Sequence, residues 1–343
     1  MAIVRVNATR TGQVLSAEGG TGWAAALDAA LGQVPPGAPV TVLVHGYRFS
    51  WRRAGGTRET CAQSLLYCAD EIAPSARLRP VRADWPARLG FTETGRGEGL
   101  CIAFGWDARR GRLRSLLMRG ANDFSLVYRG AEGAGRGLAQ VLGRVAALRP
   151  DLRPGLFTHS LGARVALAAV RCRPDLALGR VVMLAAAEYA GEARAALDAQ
   201  RRAGGTAEFL NATSRANGLY DLLFAVFAPG PARMGDRPLG WTGLGAPHPR
   251  WRDLRLDCPR TLAWLDARSP APIRRPPQFS HWHFYADPGA MTLWRAVVRG
   301  EPGFEALPAP QIEAPRRLWP GLPHALARPA AAMAPETAHL APT

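Results

Sequence analysis

Short, continuous apolar runs recur along this chain and constrain its fold more than any other feature. The clearest are Val40-Thr41-Val42-Leu43-Val44, Leu100-Cys101-Ile102-Ala103-Phe104, Gly155-Leu156-Phe157-Thr158, Val181-Val182-Met183-Leu184 and Ala207-Glu208-Phe209-Leu210. Runs that do not alternate with polar residues suit strands covered on both faces, as in a parallel sheet. Between them lie stretches with helical spacing around residues 22–33, 58–71, 124–148, 161–172 and 191–203. Strand and helix in alternation predict an α/β fold, a doubly wound, mostly parallel sheet flanked by helices. A Gly-, Pro- and Trp-rich excursion over 228–250 leads to a possible strand at Trp251 to Leu256, and a last helix is expected over 290–299.

The chain has 343 residues, 48% of them hydrophobic and 20% charged, which excludes both a disulfide-stapled miniprotein and a disordered polymer. Residues 1–37 are expected to join the same fold as a main domain over 38–301, with a Pro- and Ala-rich flexible tail over 302–343. The net charge of +16 contains no lysine, and its arginines are scattered singly and in pairs. A nucleic-acid footprint needs basic residues gathered on one face, so no nucleic-acid partner is expected. Five cysteines without C-x-x-C spacing suggest reduced core thiols rather than a zinc cluster or a disulfide framework. No run approaches the roughly 18 apolar residues of a membrane span, and the first residues lack a basic start followed by a long apolar stretch. No stable membrane anchoring is therefore expected, and a cytoplasmic location is. The glycines between Tyr128 and Gly137 do not follow a strand, so they are not read as a phosphate-binding loop.

The chemistry concentrates in Thr158-His159-Ser160-Leu161-Gly162, where an apolar strand runs into a helix of small residues. A serine on such a tight strand-to-helix turn is a nucleophile elbow: its backbone is strained, and small flanking residues let strand and helix approach. Gly162 meets that need after the serine, while Thr158 stands where a glycine is usual. The turn places Ser160 at a helix N-terminus, where the amide of Leu161 can stabilise an oxyanion. Ser160 as a simple helix cap is the plain alternative.

A second run, Thr41-Val42-Leu43-Val44-His45-Gly46-Tyr47, reads as a buried strand ending in His-Gly. Together with the later His-Ser-x-Gly elbow it resembles the α/β-hydrolase superfamily. The resemblance implies that the backbone after His45-Gly46 supplies the other oxyanion donor, Tyr47 or Arg48. It also implies that His45 organises this loop and is not the general base.

Of seven histidines, His45 and His159 lie inside the motifs, His324 and His339 in the tail, and His248 between two prolines. His281 and His283 remain, in a loop ahead of the last helix, where the superfamily places its base. His281 is preferred and His283 is the alternative. Superfamily chain order is Ser, acid, His. Asp221, the first acid beyond the strand near 207–212, is the expected third member, and Glu188 competes with it. Asn217-Gly218 occupies the place where many relatives carry their acid. His45, Gly46, Arg48, Trp106 and His159 are candidates for the pocket. The expected activity is hydrolysis of a small-molecule carboxylic ester without metal or organic cofactor. Thioester or amide cleavage on the same groups, or an inactive binding protein, are the alternatives.

Overall fold

A computed structural model of the chain describes residues 3–17, 20–51, 61–67, 83–92, 99–109, 122–231, 234–268, 272–276, 279–301 and 303–308. Its strands are β1 (Ile3–Ala8), β2 (Val14–Ser16), β3 (Val40–Val44), β4 (Leu100–Trp106), β5 (Gly155–His159), β6 (Arg180–Leu184), β7 (Glu208–Thr213) and β8 (Trp251–Arg255). The helices are α1 (Trp23–Leu31), α2 (Ala62–Leu65), α3 (Trp85–Arg88), α4 (Asp123–Leu148), α5 (Gly162–Cys172), α6 (Ala190–Arg202), α7 (Gly218–Phe227), α8 (Leu239–Thr242), α9 (Pro259–Asp266), α10 (His283–Ala286) and α11 (Pro288–Val298).

The strands form one sheet in the order β2-β1-β4-β3-β5-β6-β7-β8. Every pairing is parallel except β1 with β2. The five apolar runs of the sequence are thus five interior strands, and β3 and β5 are buried at every position. Burial on both faces follows from two cores. Side chains of α1, α4, α5 and α6 pack with Val42, Val44, Leu156 and Val181 on one face. Those of α2, α3, α9 and α11 pack with Leu43, Phe157, Val182 and Leu210 on the other.

The chain passes from β3 outward to β4 and then back across to β5. The connection leaving β3 therefore runs along one face, toward α2 and α3, while that leaving β5 enters α5 on the opposite face. Between the carboxyl ends of β3 and β5 the sheet opens at a topological switch point, where α/β proteins hold their ligands. Register brings the elements level, since Val44 pairs with Phe104 on one side and Thr158 on the other.

The glycines of 128–137 lie within α4. A methyl group on Gly135 would come within 2.9 Å of the Val165 carbonyl of α5, and one on Gly133 would strike the Arg10 backbone, so these glycines serve close packing of α4 against its neighbours rather than phosphate binding. The expected helix over 58–71 is seen as α2, and the remainder of that stretch lies largely outside the described residues, as does the expected tail from residue 309 onward. Cys61 and Cys101 are buried free thiols, but Cys172, at the end of α5, is exposed, which corrects the reading of the cysteines as core residues; Cys68 lies outside the described residues. Among the described residues, no helix is long and apolar enough to cross a membrane.

Candidate functional site

Ser160 follows the last residue of β5 and precedes the first turn of α5 by one residue. Its φ is 55°, in the left-handed region that a β-substituted residue enters at a cost of about 1–3 kcal/mol. Its neighbours hold it there. The Ser160 amide donates to Leu184 O at 2.8 Å, and its carbonyl accepts from the amides of Ala163 and Ala187, each at 3.1 Å. Gly46 abuts the turn from β3: a Cβ there would lie 2.7 Å from Ser160 Cβ and 2.9 Å from the His159 carbonyl. Glycine at 46 is what lets the loop after β3 close over the serine.

The loop's own shape comes from His45. Its Nε2 accepts from the Trp106 amide at 3.0 Å, which leaves Nδ1 protonated to donate to Gly46 O at 2.9 Å. The Trp106 indole donates to His45 O at 2.8 Å, and the two rings stack at 5.8 Å. Burial lowers the His45 pKa to about 4, so the ring stays neutral. His45 is a strut between β3 and β4. Trp106, fully buried in the same latch, is a core residue rather than the pocket wall expected for it.

Two backbone donors flank Ser160. Among the described residues, no hydrogen-bond partner meets the amides of Tyr47 and Leu161. The Arg48 amide is already given to Ala108 O at 3.0 Å, which removes Arg48 from the alternatives.

His281 reaches the site through its neighbour in sequence to the serine. His159 Nε2 donates to His281 O at 2.9 Å, and the two imidazoles lie 4.4 Å apart. His159 is buried, packed edge-on against Tyr285 at 4.9 Å, and burial lowers its pKa to about 4. It is a tether for the histidine loop rather than a pocket surface. Tyr220 stacks on the His281 ring at 4.5 Å.

The partner of His281 is not Asp221. His281 Nδ1 donates to Asn217 Oδ1 at 2.6 Å, and Asn217 Nδ2 donates to Asp221 Oδ1 at 2.8 Å. Asp221 stands one hydrogen-bond link behind the position expected of it, because it sits a full turn into α7 whereas Asn217, four residues earlier, ends the 3-10 turn Arg215–Asn217 that follows β7. The chain fixes the proton positions. The Asn217 oxygen faces His281, and that oxygen requires a hydrogen on Nδ1. Nε2 is then the basic nitrogen. Burial, with the nearby His159 and His283 acting in the same direction, holds the His281 pKa well below the usual histidine value. Burial raises the Asp221 carboxyl to about 8 against the opposing bond from Asn217.

The two alternatives are engaged elsewhere. His283 Nδ1 donates to Ser280 O at 3.0 Å, and its ring lies against Phe284 at 4.0 Å, inside the start of α10. Glu188, fully buried, accepts from the Tyr128 hydroxyl at 2.5 Å, the Tyr189 amide at 2.8 Å and Arg164 Nη1 at 2.7 Å. With Arg164 lying 3.8 Å over the Tyr128 ring, this carboxylate ties α4, α5 and the end of β6 together. Sequence reasoning passed over Asn217 by looking for a carboxylate, although its place after the strand end was the signal that could have found it.

The chain is thus an α/β protein with an eight-stranded, mostly parallel sheet; a strained serine stands at the switch point beside two amides that have no partner among the described residues, and Asn217 orients the His281 imidazole. Comparison with protein-family models, with curated proteins and with solved structures finds no match. Among the described residues, no group of three His, Cys, Asp or Glu side chains could hold a metal ion.

Proposed function

We propose that the protein is a serine hydrolase of the α/β-hydrolase type, cleaving a carboxylic ester through an acyl-enzyme. The observation that carries this reading is the left-handed Ser160 at the turn between β5 and α5, pressed against Gly46. A serine needed only as a cap has no use for that strain, whereas a nucleophile gains an Oγ lifted clear of the turn.

In this reading Ser160 Oγ attacks the ester carbonyl while His281 Nε2 takes its proton. The oxyanion that forms accepts from the amides of Tyr47 and Leu161, which are already oriented and spend no reorganisation on it. The imidazolium then passes its proton to the departing alcohol, and a water activated by the same nitrogen releases the acid. Asn217 keeps His281 in the tautomer that leaves Nε2 basic, and Asp221 accepts from the other end of the Asn217 amide. An amide in the third position orients the base without a full negative charge beside the imidazolium, an arrangement known with a cysteine nucleophile.

Labelling with a fluorophosphonate probe tests the proposal, because capture of an activated serine needs no knowledge of the substrate. The wild-type chain should label and Ser160→Ala should not, after which an ester and thioester panel defines the leaving group. A folded wild-type protein that stays unlabelled would favour a binding protein built on this fold.

A further inference from the structure

Helix α7 has the sequence Gly-Leu-Tyr-Asp-Leu-Leu-Phe-Ala-Val-Phe, and its one charged residue, Asp221, is turned inward and only 5% exposed. A helix apolar all round belongs inside a protein or against something apolar. Here Phe224 is buried, yet Leu219, Leu223 and Val226 are 43%, 40% and 45% exposed. Spaced at i, i+4 and i+7, they form one stripe along the outward flank. Phe279, 63% exposed, belongs to the same region, because the next residue, Ser280, donates its amide to Ala216 O in the turn that opens α7. These four are most of the large exposed hydrophobic residues among those described. Asn217 and Tyr220, in the entry turn and first turn of the same helix, hold His281.

Exposed arginines adjoin this stripe in sequence. Arg215 precedes α7 with its side chain 55% exposed, Arg274 and Arg275 are exposed shortly before Phe279, and Arg237 is exposed after the loop that leaves the helix. Of the acids nearest them in sequence, Asp221 accepts from Asn217, Asp236 from Gly191 and Arg194, and Asp257 lies against Arg215 and Arg255, while Asp266 is exposed at the end of α9. We propose that the outward face of α7, with Phe279 and the surrounding arginines, is a docking surface for an anionic lipid surface. An apolar stripe bordered by cations is the pattern that enters the headgroup region of such a surface. A second copy of this chain fits poorly, since it would bring the same arginines against themselves. The inference goes beyond the proposed hydrolase activity and does not depend on it.

The test uses the full chain and sedimentation with vesicles of phosphatidylcholine alone or mixed with phosphatidylglycerol. Wild type and Ser160→Ala should bind the mixed vesicles equally, and both should lose that binding in 0.5 M salt, a concentration chosen because it shortens screening to roughly 4 Å. The triple variant L219Q/L223Q/V226Q leaves the net charge unchanged, so a general attraction of a basic protein for anionic vesicles is preserved in it. Its partitioning should fall at least tenfold, with an unchanged thermal midpoint reporting an intact fold. Equal partitioning of wild type and the triple variant would overturn the proposal, as would failure of the wild type to prefer anionic vesicles. Analytical ultracentrifugation supplies another arm: a dimer that the triple variant abolishes would assign the face to a second copy and overturn it as well.

Discussion

At the scale of single residues, the arrangement turns on an asparagine. Asn217 Oδ1 accepts from His281 and Nδ2 donates to Asp221, so one amide joins the base to the carboxyl behind it. Asn217→Leu removes the acceptor, frees the imidazole and should slow probe labelling by on the order of 10²-fold or more, since a misoriented or wrong-tautomer histidine is a costly loss. Asn217→Asp retains an acceptor and adds charge, so it should label at least as fast as wild type and raise the pKa of His281. The wild-type pH profile carries its own signature. His281 is held well below its usual pKa, so its unprotonated form persists as the pH falls through 6.5. Labelling of wild type should show no inflection at pH 6.5, whereas Asn217→Asp should move the acid limb upward. A wild-type inflection at the ordinary histidine value would remove the buried, neutral base from the mechanism.

At the scale of elements, the site is set by how closely three chain segments approach. A methyl group at 46 would meet Ser160 Cβ and the His159 carbonyl, both parts of a turn already fixed by Leu184, Ala163 and Ala187. Gly46→Ala should therefore abolish labelling and lower stability by about 1–3 kcal/mol, measured by urea denaturation. Retained labelling with unchanged stability would mean that the loop and the elbow move apart freely. Much of this level was readable in the chain. Uninterrupted apolar runs identified the interior strands because burial on both faces leaves no polar positions, and His-Gly and Ser-x-Gly marked the two turns that meet. What escaped was decided by contacts between segments distant in sequence. Glu188 follows a strand end as an acid should, but Tyr128 and Arg164 claim its oxygens from α4 and α5. Trp106 ends β4 at the right edge, but its indole is drawn inward by the His45 carbonyl. Gly135 of α4 serves a helix contact whose partner, Val165, lies 30 residues further on.

At the scale of the molecule, buried titratable groups set opposing pH limits on stability. His45 and His159 are held near 4, so on acidification below about 6.5 the unfolded chain takes up protons that the folded chain refuses, and stability falls toward pH 4. Asp221 acts in the reverse sense. Its folded value near 8 lies above the ordinary 3.8, so the folded chain binds the extra proton and stability falls as pH rises between those values. Comparing urea midpoints of wild type and Asp221→Asn isolates the second effect. Wild type should lose about 1.4 kcal/mol per pH unit relative to the variant between pH 5 and pH 7.5; parallel profiles would mean that Asp221 is ionised throughout. Many arginines, meanwhile, are structural rather than free charge. Arg180 joins Glu208 to the Val297 carbonyl across the sheet, and Arg171 spans Glu132 and Glu192. Those at the margin have another effect. The sheet is open, and its two outer strands are β2, only three residues long, and β8, whose Trp-Arg-Asp-Leu-Arg sequence sets charges along the border. A short strand on one side and a charged one on the other offer a neighbouring molecule little of the flat, neutral edge on which strands add.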